Sequence, residues 1–420
     1  MSTASRARKS FTLNAVSTLF YSGIFLSIFI PSYFNWNLTE ILSNKVKDGW
    51  CNPEKEGIGL HCFGDFYAPM GIAGNQDPWR IGVNPNPPFA MLIFKLFYAI
   101  SNFTTARFSL ILYMLLIFSA FMLPAVHAWR KSIKTYQIKL LYLSMYAMSM
   151  PAISLIDRGN IIALTVPLVY FAYLFHNEKP QLTVALLVIS VVIKPQLAIF
   201  MILLLAVKQY RLFVLAVFSG LTLNLAGFLF FQSPKISISN WIESIFSYPT
   251  YAGEGKIYPV NISLQNTLFL MDKSFQTNFA EILITTTASV LVLVYAASIL
   301  FNLKQLSPDQ LFYQIVILLL ITGGTVFSYY AVFLSLVFLF LSFFDDRDSI
   351  FESPFSSLCS TALLLLIIPI SPLSWKLFPF LSNFGQATVA ITWTLAQCVL
   401  VLLIITISVE NFSRKFRVKG

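Results

Sequence analysis

Residues 106–131 read ARFSLILYMLLIFSAFMLPAVHAWRK, a long apolar run that passes directly into a basic cluster. A helix of roughly 20 apolar residues spans the hydrocarbon core of a bilayer. Basic residues that flank such a helix stay on the cytoplasmic side of the membrane. The stretch therefore predicts a transmembrane helix from about Ala106 to Ala128, with Arg130 and Lys131 in the cytoplasm.

The composition extends this interpretation to the whole chain. Of 420 residues, 57% are hydrophobic and 11% are charged, with a mean hydropathy of +0.74. Soluble domains carry about 25% charged residues, so this chain has too few polar groups to cover a water-facing surface. We expect an all-α polytopic membrane protein. The net charge of +10 does not indicate nucleic acid, because the basic residues form short clusters between apolar runs and no continuous stripe.

Apolar runs alternate along the chain with basic loops and with loops rich in Asn, Gly, Ser and Pro. This alternation predicts about twelve transmembrane helices with both termini in the cytoplasm. The first run is long and lacks a small-residue cleavage site, so we interpret it as an uncleaved helix and not as a signal peptide. Besides Ala106–Ala128, the predicted spans are Phe11–Pro31, Ile138–Ile156, Asn160–Phe175, Gln181–Ile193, Gln196–Ala206, Phe213–Phe231, Glu281–Leu300, Leu311–Thr322, Val326–Phe343, Ser357–Ile370 and Gln386–Val409.

Two longer polar segments are expected outside the membrane within a single domain of residues 1–420. The first external loop covers residues 32–105 and is expected to be structured, and the second covers residues 232–279. Within the first loop, the apolar stretch after Pro87 has about 14 residues, too few for a comfortable crossing. Residues 88–100 are therefore expected to form a juxtamembrane or re-entrant helix.

The cysteines and histidines limit which disulfides, metal sites and cofactor sites the chain can form. Cys51 and Cys62 share the first external loop, where oxidation is permitted, so a disulfide between them is expected, with two free thiols as the alternative. The three histidines share no metal-ligand spacing, and no cofactor fingerprint occurs. We expect no metal site and no cofactor, although nothing in the sequence forbids a divalent cation.

Two carboxylates and two cations stand out in the predicted external segments. Asp65 precedes a Pro-Pro helix start, and a carboxylate at the membrane face can take a proton from an acceptor hydroxyl. Its rival, Asp77, is followed by proline and is more typical of a turn. Lys194 interrupts an apolar run, where ionisable residues are costly and usually functional, although it could also reach the headgroups from a helix end. Arg158 has the same two interpretations, and a pair with Asp157 would favour a structural role.

Several short motifs occur in the order found in one family. The chain resembles the GT-C superfamily of glycosyltransferases that use polyprenyl-phosphate sugars, and most closely glycosyltransferase family 87. Its matching pieces are Asp65-Phe66 followed by Gly74 to Trp79, Asn86-Pro87-Pro88, Gly159-Asn160, Lys194-Pro195 and Asn261-Ile262-Ser263-Leu264.

This resemblance implies a GT-C-type fold and a role for each matched position. Asp65 is the expected catalytic base. The donor phosphate is expected at Lys194, Arg158 and Tyr329, and the substrates at Asn86, Asn160 and Asn261. The chain departs from the family at Ser328-Tyr329-Tyr330, where a histidine is usual.

The resemblance implies a hexosyltransferase that moves a sugar, expected to be mannose, from a polyprenyl-phosphate donor to a glycan or glycolipid acceptor. The reaction is expected on the outer face of a bacterial plasma membrane. One alternative is a transporter or flippase of lipid-linked sugars, which would have inverted repeats and a site near the midplane. Another is a polysaccharide polymerase or ligase, which would have a large external loop late in the chain.

Overall fold

A computed structural model describes residues 18, 21–22, 25, 63–80, 84–132, 134–253, 263–275, 279–322, 328–341, 354–367 and 391–417. Within these ranges every regular element is helical, which confirms the all-α class for the described part of the chain. The described helices are α1 Gly64–Ala73, α2 Pro88–Phe103, α3 Ala106–Lys131, α4 Tyr136–Ala147, α5 Met150–Asp157, α6 Thr165–Phe175, α7 Pro180–Ile193, α8 Ile202–Ala206, α9 Tyr210–Gly227, α10 Pro234–Gly253, α11 Leu264–Phe275, α12 Glu281–Asn302, α13 Pro308–Ile321, α14 Val332–Leu341, α15 Pro354–Ile367 and α16 Ile391–Arg417.

Four described helices are long and apolar enough to cross a bilayer: Ala106–Lys131, Tyr210–Phe230, Glu281–Asn302 and Leu395–Arg414. A fifth span results if α4 and α5 are taken together. Large apolar side chains are exposed along these helices, including Phe118 on α3 and Leu293 on α12. Contiguous apolar surface of this kind is rare on soluble monomers. The chain is a multi-pass membrane protein.

The expected total of about twelve crossings stays a prediction. Six further apolar helices in the described residues have only 10–17 residues. The predicted first span, Phe11–Pro31, falls mostly outside the described residues. Parts of the last three predicted spans do so as well.

The predicted continuous span Ile138–Ile156 is wrong in detail, because α4 and α5 are bent by 53°. Pro151 lies in the first turn of α5 and has no backbone N–H to continue the hydrogen bonding of α4. The predicted helix Gln196–Ala206 is likewise divided, into a 3₁₀ helix Pro195–Met201 and the short α8.

The chain forms two compact units. The first unit comprises Cys51–His127 and Leu155–Lys256, and the second comprises Met1–Trp50, Ala128–Ser154 and Ile257–Gly420. In the first unit, α7 packs against α6 and α9, while α1 packs against α2. In the second unit, α16 packs against α12 and α15, and α14 packs against α4.

An aromatic cluster forms the core of the first unit beneath α1. The ring of Phe66 is fully buried and stacks on Tyr113 of α3, with 4.5 Å between the ring centroids. Phe94 and Phe97 of α2 complete the cluster with centroids 6.5 Å and 6.0 Å from Phe66. Burying such a ring contributes about 2–3 kcal/mol. The cluster therefore fixes the position of Phe66, the residue that follows Asp65.

A buried polar network joins three helices of the second unit. The amide of Asn411 on α16 donates to Ser298 of α12 at 3.2 Å and to Gln314 of α13 at 2.9 Å. One turn later, Arg414 forms an ion pair with Glu410 at 3.1 Å. The two hydrogen bonds of Asn411 specify which faces of the three apolar helices meet.

Candidate active site

Helix α1 carries Asp65 in its first turn. The chain enters this helix at Phe63, whose φ of 52° lies in the left-handed region, and the next residue is Gly64. The buried ring of Phe66 then holds the first turn against the aromatic cluster. The side chain of Asp65 is 20% exposed, so it can be reached from outside the protein.

A glycine turn at the end of α5 faces this carboxylate. The N–H of Gly159 donates to Ile156 at 2.9 Å and the N–H of Asn160 donates to Leu155 at 3.0 Å. This is the Schellman pattern, which needs a left-handed residue after the helix, and Gly159 has a φ of 62°. A Cβ at Gly159 would lie 3.3 Å from the Cβ of Phe66. Glycine therefore permits both the turn and its close approach to α1.

Two further hydrogen bonds fasten the turn to its surroundings. The backbone N–H of Asp65 donates to the carbonyl of Arg158 at 3.1 Å. The hydroxyl of Tyr113 donates to the carbonyl of Gly159 at 3.0 Å. These two bonds hold the backbone of the turn beside that of Asp65, independently of the contact between the Asp65 and Arg158 side chains.

Both oxygens of the Asp65 carboxylate accept hydrogen bonds. Arg158 donates from Nε to Oδ2 at 2.9 Å and from Nη2 to Oδ1 at 2.6 Å. Asn160 donates from Nδ2 to Oδ2 at 2.6 Å. Burial alone raises the pKa of Asp65, but the charge and hydrogen bonds of Arg158, the Asn160 bond and the Lys194 charge together hold it below its ordinary value. The carboxylate is therefore ionised near neutral pH.

The orientation of the Asn160 amide follows from its partners. Its Oδ1 accepts the backbone N–H of Ile162 at 3.0 Å, which caps the 3₁₀ helix Ile161–Leu164. A backbone N–H can only donate and a carboxylate can only accept, so Nδ2 must face Asp65. Asn160 is 3% exposed. Its position suits a residue that holds the carboxylate.

Lys194 is placed by the end of α7. Its backbone N–H closes the last turn on Ser190 at 2.8 Å, and Pro195 prevents the helix from continuing. The ammonium group donates to Oδ1 of Asn86 at 3.1 Å. The Lys194 charge acts on Asp65 and contributes to the lowered pKa of that carboxyl.

Asn86 is held in turn by the loop before α2. Its Nδ2 donates to Oδ1 of Asn84 at 3.0 Å, and its carbonyl accepts the indole N–H of Trp79 at 2.9 Å. Pro88 occupies the first position of α2, where the missing N–H of proline has no cost. These contacts leave Oδ1 of Asn86 directed at Lys194.

Asp77 makes the contacts of a turn residue. Its Oδ1 accepts the backbone N–H of Trp79 at 3.1 Å, which is two residues further along the chain. Its Oδ2 accepts a hydrogen bond from Asn240 of α10 at 2.8 Å. Asp77 thus joins the loop after α1 to α10.

The structure brings together Asp65, Arg158 and Asn160, and it pairs Lys194 with Asn86. Tyr329 belongs to the second unit, where it is 6% exposed and stacks on Tyr330 with 5.5 Å between centroids. Asn261, Cys51 and Cys62 lie outside the described residues, so the expected substrate contact and disulfide stay predictions. Among the described residues, no group of three or more His, Cys, Asp or Glu could hold a metal ion.

Apolar helices long enough to span a bilayer, together with a partly exposed carboxylate paired with Arg158, define a membrane protein with a charged candidate site. The chain belongs to glycosyltransferase family 87, a GT-C-type family whose model matches residues 84–328. It is therefore a membrane glycosyltransferase. No curated protein and no solved structure matches it.

The matched span divides the candidate residues. It includes Asn86, Arg158, Asn160, Lys194 and Asn261. Asp65 precedes the span and Tyr329 follows it. The position of Asp65 in the site consequently depends on its contacts with the matched turn at residues 158–160 and not on the family match itself.

Proposed function

We propose that this glycosyltransferase moves a sugar from a polyprenyl-phosphate donor to a hydroxyl of a glycan or glycolipid on the outer face of the plasma membrane. One observation carries the proposal: the carboxylate of Asp65, 20% exposed, contacts Arg158 and lies within the electrostatic influence of Lys194. One carboxylate can accept the proton of an acceptor, and two cations can balance the charge of a leaving phosphate.

Asp65 acts as the general base in the proposed reaction. The acceptor hydroxyl gives its proton to the Asp65 carboxylate while its oxygen forms a bond to the anomeric carbon of the donor. The bond from the anomeric carbon to the phosphate oxygen breaks, and its electron pair leaves with the polyprenyl phosphate. Because the leaving group is already activated, the reaction needs no nucleotide-binding loop and no cofactor.

Lys194 and Arg158 hold the donor phosphate in this proposal. Cations directed at the oxygens where charge develops stabilise the departure of the leaving group. Asn86 keeps the Lys194 ammonium in place through the 3.1 Å hydrogen bond. Tyr329 and Asn261 are proposed to contact the donor phosphate and the substrate respectively, as the family resemblance implies.

The proposed orientation places the site outside. It is supported by the basic clusters at Arg130-Lys131, at Lys179 and at Lys208, which the positive-inside rule assigns to the cytoplasm. The turn at residues 158–160 and Lys194 occur in the intervening segments, which this alternation assigns to the outer side. Mannose is the sugar that we propose.

A transfer assay with purified protein tests the function. The protein, in lipid nanodiscs, is incubated with labelled polyprenyl-phosphate mannose or with the corresponding arabinose donor, each with a membrane extract of acceptors. We expect label to appear in an acceptor from the mannose donor. If label were transferred only from the arabinose donor, arabinose would replace mannose as the proposed sugar. Movement of intact donor across vesicles, with no transfer from either donor, would favour the flippase.

A further inference from the structure

The Asp65 carboxylate and a donor phosphate would compete for one edge of the Arg158 guanidinium. Its Nε and Nη2 groups fill both oxygens of Asp65, at 2.9 Å and 2.6 Å. A planar guanidinium that makes this paired contact cannot direct the same two N–H groups at a phosphate. The pair also disfavours catalysis by Asp65, because hydrogen bonds to the charged form make a carboxylate a weaker base.

We propose that the donor phosphate draws the Arg158 guanidinium away from Asp65, so that Asp65 becomes an effective base only when the donor is bound. This inference rests on the proposed function and concerns how the same site is regulated. Without the donor, the Asp65 carboxylate stays paired with Arg158. The exchange therefore couples proton abstraction by Asp65 to the presence of the leaving phosphate.

The local structure permits such an exchange without movement of the backbone. The carbonyl of Arg158 accepts a hydrogen bond from the N–H of Asp65, and the carbonyl of Gly159 accepts one from the hydroxyl of Tyr113. Neither bond involves the Arg158 side chain, so the backbone of the turn can stay in place when that side chain changes conformation. The Arg158 side chain is 19% exposed and the Asp65 side chain is 20% exposed, so the pair can be reached by a ligand.

Asp65 would keep a partner after the exchange. Asn160 has its amide fixed by Ile162 and donates to Oδ2 of Asp65 at 2.6 Å. Among the described residues, the charges of Arg158, in the turn after α5, and of Lys194, at the end of α7, act on Asp65, and the charge of Asp65 acts on the hydroxyl of Tyr113 in α3. Only Arg158 forms an ion pair with it in the described contacts.

Binding of a short-chain polyprenyl phosphate, measured by microscale thermophoresis in nanodiscs, tests the exchange. If Asp65 competes with phosphate for Arg158, Asp65→Asn should bind the probe about tenfold more tightly than wild type. The same substitution in an Arg158→Gln background should change affinity less than about threefold, because no guanidinium remains to be released. Asp77→Asn is the matched control and should leave the affinity unchanged.

An equal gain in both backgrounds would overturn the exchange, since it would reflect only the removal of a negative charge near the probe. No gain in a folded Asp65→Asn protein would overturn it as well. If wild type transfers sugar while the gain is absent, the exchange fails alone. If wild type neither binds the probe nor transfers sugar, the proposed function fails with it.

The pH dependence of the wild-type enzyme gives a second test that needs no variant at Asp65. The acidic limb of kcat/KM reports the free enzyme, where Arg158 holds the pKa of Asp65 low, and the limb of kcat reports the donor complex. The donor is a phosphodiester and does not titrate in this range. The exchange predicts a kcat limb about one pH unit or more above the kcat/KM limb, whereas coincident limbs would contradict it.

Discussion

The ion pair between Asp65 and Arg158 makes the stability of the first unit depend on pH. Burial raises the pKa of Asp65, but the opposing effect of Arg158, Asn160 and Lys194 is larger, so the pKa lies below its ordinary value. A carboxyl with a lowered pKa in the folded state stabilises the fold at pH values above the unfolded pKa. That contribution is lost as the pH falls through the folded value.

We therefore expect wild type to lose more unfolding free energy between pH 6 and pH 3 than Asp65→Asn does. Denaturant unfolding in nanodiscs, followed by tryptophan fluorescence, measures both proteins. The substitution removes the titrating group, so its own pH dependence comes only from other carboxyls. Parallel pH profiles for the two proteins would contradict the stabilising role of the pair.

The glycine at position 159 can be tested by adding a single methyl group. We expect Gly159→Ala to destabilise the protein by about 1–2 kcal/mol, because the backbone is left-handed there. The new methyl would also lie 3.3 Å from the Cβ of Phe66. Thermal unfolding measures the loss, and transfer activity should fall because the turn positions Arg158.

Gly71→Ala is the matched control on α1. A Cβ at Gly71 would meet no atom within 4 Å, so alanine should be neutral or should stabilise the helix by up to about 1 kcal/mol. Equal changes in stability for the two variants would show that the left-handed turn at residue 159 does not require glycine.

Residue types indicated the members of the candidate site, but they did not indicate which of those residues contact each other. Asp65, Arg158 and Lys194 stand out because each is ionisable in a largely apolar chain. The partner of Arg158 could not be predicted, because Asp157 is its neighbour in sequence while Asp65 is 93 positions away. The contribution of Tyr113 was missed for the same reason: one tyrosine within an apolar helix gives no sequence signal for a contact with Gly159.

At the scale of elements, α9 meets the beginning of α2 at a position with no room for a side chain. A Cβ at Gly227 would lie 2.9 Å from Cγ of Pro88 and 3.0 Å from a ring carbon of Phe89. We expect Gly227→Ala to cost about 1–3 kcal/mol through overpacking. It should also weaken binding of polyprenyl phosphate, because a shift of Pro88 moves Asn86 and hence Lys194.

Gly220→Ala in the middle of the same helix serves as the comparison. Its Cβ would lie 3.3 Å from a methyl group of Val191, which can rotate away. Unfolding and probe affinity measured on both variants should show the larger effects for Gly227→Ala. The contact between α9 and α2 would have no influence on the site if Gly227→Ala bound the probe like wild type.

Proline residues explain which predicted helix boundaries are confirmed and which are wrong. A helix does begin at Pro88, as the Pro-Pro pair indicates, although it extends to Phe103 and not only to Ile100. The bend between α4 and α5 was missed even though Pro151 marks it, because apolar composition alone does not distinguish one span from two shorter helices. The 3₁₀ geometry after Pro195 was missed for the same reason.

For the whole molecule, composition predicted the membrane class, while the number of crossings depends on helices of 10–17 residues. Such helices are shorter than the roughly 20 residues needed to span a bilayer upright. Accessibility labelling of single cysteines tests the topology. Tags at Lys131, Lys179 and Lys208 should react only from the cytoplasm, and a tag at Lys235 should react from outside.

The tags are expected on these sides because basic loops are retained on the cytoplasmic side of the membrane. A tag at Lys131 that reacts from outside would reverse the proposed face of the site. A reversed tag at Lys235 alone would move only the second predicted external loop.

Sugar transfer by Asp65→Asn is the most direct test of whether Asp65 is the general base. The substitution keeps the size of the side chain and removes the group that accepts a proton, so the rate of a single turnover should fall by about 10²–10⁴. Lys194→Ala should instead weaken donor binding as well as turnover, because in the proposed function Lys194 binds the phosphate before the reaction. Asp77→Asn, at a turn residue bound to Asn240, should transfer sugar at nearly the wild-type rate. Near-normal transfer by folded Asp65→Asn, with loss of transfer in Asp77→Asn, would contradict the account and make Asp77 the base.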